Sequence, residues 1–299
     1  MKSFSTLLRL DPFDTQHGLV TSPFFSSRVL ATIRLVVAAY TFAVLVFSVT
    51  WGIVVTKDAA GFFSYFTHLS YTGICGYFFA AGFQTLTYAR RGQKAYPLQR
   101  WAKPWRFLHL ALLSTITTYP LLVSVVFWGI IAPDESVFDN RYDAWSAISV
   151  HLLNSVFALF EILLTNTPLS SWLLLPFGLL LLSGYVGIVY ITYATQGFYA
   201  YTFMAPDGHP LKLALHILGV AAAECVVFAI AYGLVFLRQR VVARFFPSTS
   251  SKVSATSKYA SAAGASAVSL TVGDIYGKAE MAMGPDGWSD LDVSTPVKG

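Results

Sequence analysis

The sequence predicts an all-α, polytopic membrane protein of about six transmembrane helices with a disordered C-terminal tail. Three observations carry that prediction. Of the 299 residues, 55% are hydrophobic and only 12% are charged, about half the charged share of a soluble domain. That leaves too little polar cover for a folded surface in water, so a soluble enzyme is excluded. Six stretches each hold about 20 mainly apolar residues, the length that crosses a bilayer. Between them, Lys and Arg are segregated to alternate loops.

Taken in order, residues 1–28 are polar and interrupted by Pro12, and they read as a cytosolic N-terminal segment. They carry no signal-peptide apolar region, so the first span is expected to target the chain. The transmembrane domain is expected over 29–246, with spans at 29–55, 63–89, 107–132, 145–166, 172–196 and 211–237. The second and fourth spans are the more polar, which marks them as interior-facing helices. Pro247 ends the domain. Residues 247–299, rich in Ser, Ala, Gly and Thr, have too few large apolar groups to offset the entropy of folding and are expected to be a disordered cytosolic tail.

The loop between spans two and three holds Arg90, Arg91, Lys94, Arg100, Lys103 and Arg106 with no acid among them. The next loop holds Asp134, Glu135, Asp139 and Asp143 against Arg141 alone. Basic short loops stay in the cytosol, which puts both termini there, beside Lys2, Arg9 and Arg28 and beside Arg238, Arg240 and Arg244. The expected location is an endomembrane or the plasma membrane. A scattered net charge of +5 gives no nucleic-acid surface. Cys75 and Cys225 lie in apolar stretches and support neither a disulfide framework nor a zinc site.

Ionisable groups at membrane depth are costly and point to function. They are Arg34, His68, His109, His151, Glu161, His216 and Glu224. Arg34, His109 and His216 lie toward helix ends, where snorkelling to the interface accounts for them. Glu224, near mid-span, reads as a buried neutral acid or part of a lipid headgroup site. In span four, His151, Asn154, Ala158 and Glu161 recur at i, i+3, i+7 and i+10, one stripe of a helix. Such a stripe faces protein or a water-filled cavity; interhelical hydrogen bonding is its plainest use. Span two opens with Ser64, Thr67, His68 and Tyr71.

With this topology Thr67 and His151 both lie about 6–9 Å inside the outer face. A hydroxyl and an imidazole at matched depth are what nucleophilic acyl transfer needs, because a threonine is a poor nucleophile until a base takes its proton.

The segments FSYFTHLSYTGI, TYPLLVSVVFW, HLLNSVFALFEI and GFYAYTF resemble the androgen-induced membrane protein family over roughly residues 29–240. Animal members are multi-pass hydrolases of fatty acid esters of hydroxy fatty acids that use an intramembrane threonine and histidine. The resemblance implies Thr67 as nucleophile and His151 as base, with Glu161 in the family's glutamate position. The tail and the loop between spans three and four depart from the animal pattern. The implied function is an intramembrane lipid ester hydrolase whose partners are membrane lipids and an amphipathic ester, with no cofactor.

Oxyanion stabilisation is open between backbone amides near Ser64–Thr67, Tyr71 and Asn154. No carboxylate obviously orients His151. Asp143 lies about two turns earlier and Glu161 about 15 Å along the helix, so a dyad and a triad are both open, and Glu161 reads as packing or channel lining. The alternatives are a non-enzymatic transporter or scaffold, and a b-type haem protein with His68, His151 or His216 as axial ligands. A zinc hydrolase lacks any HxxxH or HExxH pairing. Substrate and oligomeric state are left open.

Overall fold

The computed structural model describes residues 4–132, 137–206 and 208–245. The expected tail over 247–299, and Asp134 and Glu135 of the acidic loop, lie outside the described residues. The described residues form helices and their connections, with no strand among them. The elements are α1 (Phe4–Leu7), α2 (Ser27–Trp51), α3 (Phe66–Arg90), α4 (Lys103–Val126), α5 (Arg141–His151), α6 (Leu153–Leu164), α7 (Leu174–Gln196) and α8 (Pro210–Phe245). π-helical turns extend α2 over Gly52–Thr56 and α4 over Phe127–Ile131.

Five segments are long and apolar enough to cross a membrane: Ser27–Thr56, Lys103–Ile131, Arg141–Leu164, Leu174–Gln196 and Pro210–Phe245. Helix α3, at 25 residues, is about 37 Å long and could span by length. It falls outside the five because Thr67, His68, Ser70, Thr72, Gln84 and Thr85 dilute its apolar content. Those polar residues are tolerated because α3 is a core helix: Tyr71, Ile74, Tyr77, Phe78 and Ala81 are almost wholly buried. Its contact with α2 is the closest in the bundle. At Gly82 an added Cβ would stand 2.8 Å from Leu35 Cδ2, so only glycine lets the two helices approach this far.

The N-terminal segment is folded onto the bundle rather than merely preceding it. Leu8, Leu10, Phe13, Leu19 and Val20 are buried. Asp14 Oδ1 accepts from the Gly18 N–H at 2.8 Å and Oδ2 from the Leu19 N–H at 3.1 Å, and the Tyr96 hydroxyl donates to the same carboxylate. Burial pushes that phenol to a higher pKa, and the neighbouring Asp14 carboxylate adds to the rise because ionising the phenol would set two like charges together.

One local feature departs from the expected straight fourth span. The helix breaks between α5 and α6 at Leu152, whose φ of −116° is far from the helical value of about −63°. The stripe expected to run from His151 to Glu161 is therefore not continuous. Its two ends serve two different clusters.

Candidate active site

Thr67 is the second residue of α3 and is buried. At that position the first N–H groups of the helix, those of Phe66 and Thr67, have no carbonyl of the helix to donate to. His151 is the last residue of α5. Both side chains line one cavity of about 340 Å³, walled by Leu122, Val123, Val126, Leu179 and Leu182 among others. The sequence-predicted pair is thus brought to one cavity from two separate elements. His68 is not among the residues that line it.

His151 is positioned by two helix irregularities that meet there. The break at Leu152 leaves the His151 carbonyl free of its usual helical donor, because the Ser155 N–H turns to the Leu152 carbonyl at 3.1 Å and Asn154 Oδ1 at 2.6 Å. The vacant carbonyl accepts instead from the Ser124 hydroxyl and, at 3.2 Å, from Trp128 Nε1. The π turn begins at Phe127, whose ring lies face to face on the imidazole with centroids 3.5 Å apart. Single π turns concentrate at functional sites because they re-aim side chains that a regular helix would place elsewhere. The Nδ1 atom of His151 is buried without a partner among the described residues. No carboxylate orients it there.

The other expected supporting residues divide clearly. Ser64 is tied down: its hydroxyl accepts from Thr192 at 2.9 Å and its carbonyl from the Tyr185 hydroxyl at 2.8 Å. Tyr71 is fully buried, its hydroxyl has no partner among the described residues, and it does not line this cavity. Asn154 patches the helix break, its Oδ1 also accepting from Ser124 at 3.2 Å. His68 Nδ1 meets the Phe62 carbonyl at 2.7 Å. A carbonyl only accepts, so this bond places the proton on Nδ1. His216 Nδ1 makes the same kind of bond to the Phe203 carbonyl at 3.0 Å.

Tyr201 was not singled out by sequence. It lies in the connection between α7 and α8 and lines the same cavity, its ring edge-on to Tyr65 at 5.8 Å and to Tyr185 at 6.3 Å. Burial pushes its phenol to a higher pKa. Its motif, GFYAYTF, was visible only as a resemblance.

The second cluster corrects two expectations. Arg34 does not snorkel: it is wholly buried, as is Glu161. Arg34 Nε donates to Glu161 Oε1 at 2.8 Å and Nη2 to Oε2 at 2.7 Å, while Nη1 reaches the Leu19 carbonyl at 2.8 Å and Thr85 Oγ1 at 2.6 Å. The Tyr77 hydroxyl adds a bond to Oε2 at 3.2 Å. Glu161 lines no channel here. It is the fork-shaped partner of a buried guanidinium. His109 is also buried, against Tyr77, rather than reaching the interface. Glu224 accepts from Thr118 at 2.7 Å, and its second oxygen is buried with no partner among the described residues.

Among the described residues no group of three or more His, Cys, Asp and Glu side chains could hold a metal ion. Comparison of the chain with protein-family models, with curated proteins and with solved structures returned no match.

Proposed function

We propose that the protein is an intramembrane lipid ester hydrolase acting on amphipathic esters such as fatty acid esters of hydroxy fatty acids. Its body has six spans, with α3 as the interior one, both termini in the cytosol and the site near the outer leaflet. The observation that carries this reading is the lining of one apolar cavity by Thr67 and His151. The resemblance over spans two to four supports it independently.

Thr67 Oγ attacks the ester carbonyl carbon as its proton passes to His151. The bond to the alcohol oxygen then breaks, and His151 returns the proton to the leaving alkoxide. Water from the nearby interface attacks the acyl-threonine as His151 takes its proton; the acyl bond then breaks, His151 passes the proton to Thr67 Oγ, and the fatty acid leaves with both residues restored. The Phe66 and Thr67 N–H groups at the start of α3 lie where they can donate to the oxyanion. The acyl chain arrives sideways from the bilayer and rests against Leu122, Val123 and Val126, so no water-soluble binding domain is needed.

The test is hydrolysis of a fatty acid ester of a hydroxy fatty acid by detergent-purified protein, beside Thr67→Ala and His151→Ala proteins of equal thermal stability. Loss in both supports the reading. Activity retained in either variant overturns it, and a transporter or scaffold then becomes the better account.

A further inference from the structure

A second cavity, of about 470 Å³, lies on the other side of α7 from the one that Thr67 and His151 line. The two take opposite faces of that helix: Leu179 and Leu182 line the first, and Leu181, Gly184 and Ile188 line the second. Phe66 and Tyr185 line both and form their common wall. The second cavity flanks the first two turns of α3, and its wall begins one residue from the proposed nucleophile.

That wall is held firmly. The Phe66 ring meets Tyr119 and Tyr185 edge-on, with centroids 5.1 Å away in both cases. The Tyr185 hydroxyl donates to the Ser64 carbonyl at 2.8 Å and the Tyr119 hydroxyl to the Gly178 carbonyl at 2.7 Å. The other hydroxyls of the second cavity, Ser70 and Thr115, donate to the carbonyls of Thr67 at 3.0 Å and Leu112 at 2.9 Å. Every hydroxyl proton of the lining is thereby committed to a backbone carbonyl. A headgroup or ester oxygen entering there would lose its water without gaining a hydroxyl donor, a cost that hydrocarbon does not incur. Room for a chain comes from glycine. A Cβ at Gly184 would meet nothing within 4 Å among the described residues, and one at Gly73 only Leu112 Cδ1 at 3.7 Å.

An ester carries two substituents on its carbonyl carbon, and they leave it in different directions. With the acyl chain in the first cavity, the alcohol portion needs a second place. Where that portion is itself a long chain, turning it out to water would expose apolar surface. We propose that the second cavity binds the alcohol-side hydrocarbon chain of a two-chain ester, with Phe66 and Tyr185 dividing it from the acyl chain. The proposal rests on the esterase reading for the identity of the two chains. The capacity of the cavity to hold a chain is testable without it. A long-chain alcohol portion then marks the better substrate, and esters of short alcohols occupy the first cavity alone.

The test has two arms, both on the full chain in phosphatidylcholine nanodiscs. The first compares oleyl palmitate with ethyl palmitate, which share an acyl chain and differ in the alcohol. Gly73→Leu and Gly184→Leu fill the second cavity; Gly187→Leu, at a glycine that lines neither cavity, is the control. Filling is expected to lower kcat/KM for oleyl palmitate at least about tenfold, the penalty of forcing a chain against packed side chains. Ethyl palmitate should stay near the parent value. A ratio of the two substrates that is unchanged by both fillings, or lowered equally by Gly187→Leu, overturns the proposal. The second arm needs no hydrolysis. In Thr67→Ala, an oleyl palmitate analogue with a diazirine on the alcohol chain is photolysed and its adducts are mapped. They are expected on Leu69 and Leu181 and should be lost when Gly184→Leu is added. No adducts, or adducts confined to the first cavity, overturn the proposal. Equal labelling of these residues by a diazirine phosphatidylcholine also overturns it and makes the cavity a groove for bilayer lipid. If the expected adducts form while the parent hydrolyses neither ester, the esterase reading fails and the cavity stands as a chain site.

Discussion

Arg34 with Glu161, and Thr67 with His151, are two polar pairs buried in one apolar body, and they are finished differently. Around Arg34 and Glu161 each carboxylate oxygen and each guanidinium nitrogen named above has a partner, drawn from the N-terminal segment, α2, α3 and α6. Around His151 the ring is clamped by Phe127 and its carbonyl by Ser124 and Trp128, yet Nδ1 has no partner among the described residues. Buried polar groups are normally satisfied, since an orphan costs about 1–3 kcal/mol. A satisfied cluster holds elements together. A cluster left incomplete beside a cavity is where a second molecule can complete it.

The largest expected effect separates the two on activity. His151→Ala should lower hydrolysis by about 10²- to 10⁴-fold, the usual worth of a positioned general base. Thr67→Ala should remove acyl-enzyme formation altogether, seen as loss of fluorophosphonate labelling. Both proteins should unfold thermally within a few degrees of the parent, because neither replacement breaks a satisfied network. An equal fall in thermal stability would move Thr67 and His151 into the same structural class as Arg34 and Glu161.

Next in size is the reverse pattern. Glu161→Ala leaves a guanidinium buried without its anion and should cost about 3–5 kcal/mol of stability. In detergent this reads as a large drop in the unfolding midpoint and in yield. Replacing both partners together, Arg34→Met with Glu161→Leu, should recover most of the loss, since two apolar groups need no counter-charge. If Glu161→Ala instead keeps its stability and loses only hydrolysis, the carboxylate belongs to the chemistry and the comparison fails.

Much of this arrangement was legible in the sequence. Apolar length located four of the five apolar segments to within four residues at each end, as where the expected 145–166 became Arg141–Leu164, while the expected 211–237 runs on to Phe245. Expected depth alone permitted a contact between Thr67 and His151, and the resemblance singled them out; the two do line one cavity. The same reasoning applied to Arg34 and Glu161 would have paired them, since they approach the same side of the bundle with opposite charge. Snorkelling looked sufficient for Arg34 because a sequence does not reveal which way a side chain turns. The break at Leu152 was illegible for another reason. No proline or glycine stands there; the break depends on Ser124 and Trp128, on a different helix, donating to the freed carbonyl. Tyr201 was hidden likewise, in a connection whose position is set only once α7 and α8 are packed.

The smallest effect asks whether that break matters to the imidazole it follows. Ser124 donates to the His151 carbonyl and lies within hydrogen-bonding range of Asn154 Oδ1 and the Ser155 hydroxyl. In Ser124→Ala the carbonyl keeps only Trp128 Nε1, and a single interhelical hydrogen bond in a membrane protein is worth about 1 kcal/mol. Stability should therefore fall only slightly. If the bond sets the angle at which His151 enters the cavity, kcat should fall severalfold while KM stays close to the parent, because ground-state binding in the apolar wall is untouched. Ser124→Thr, which keeps the hydroxyl, should restore kcat. A fall in stability with kcat unchanged would make the break simply a packing solution between α4 and α6, and His151 would owe its position to Phe127 alone.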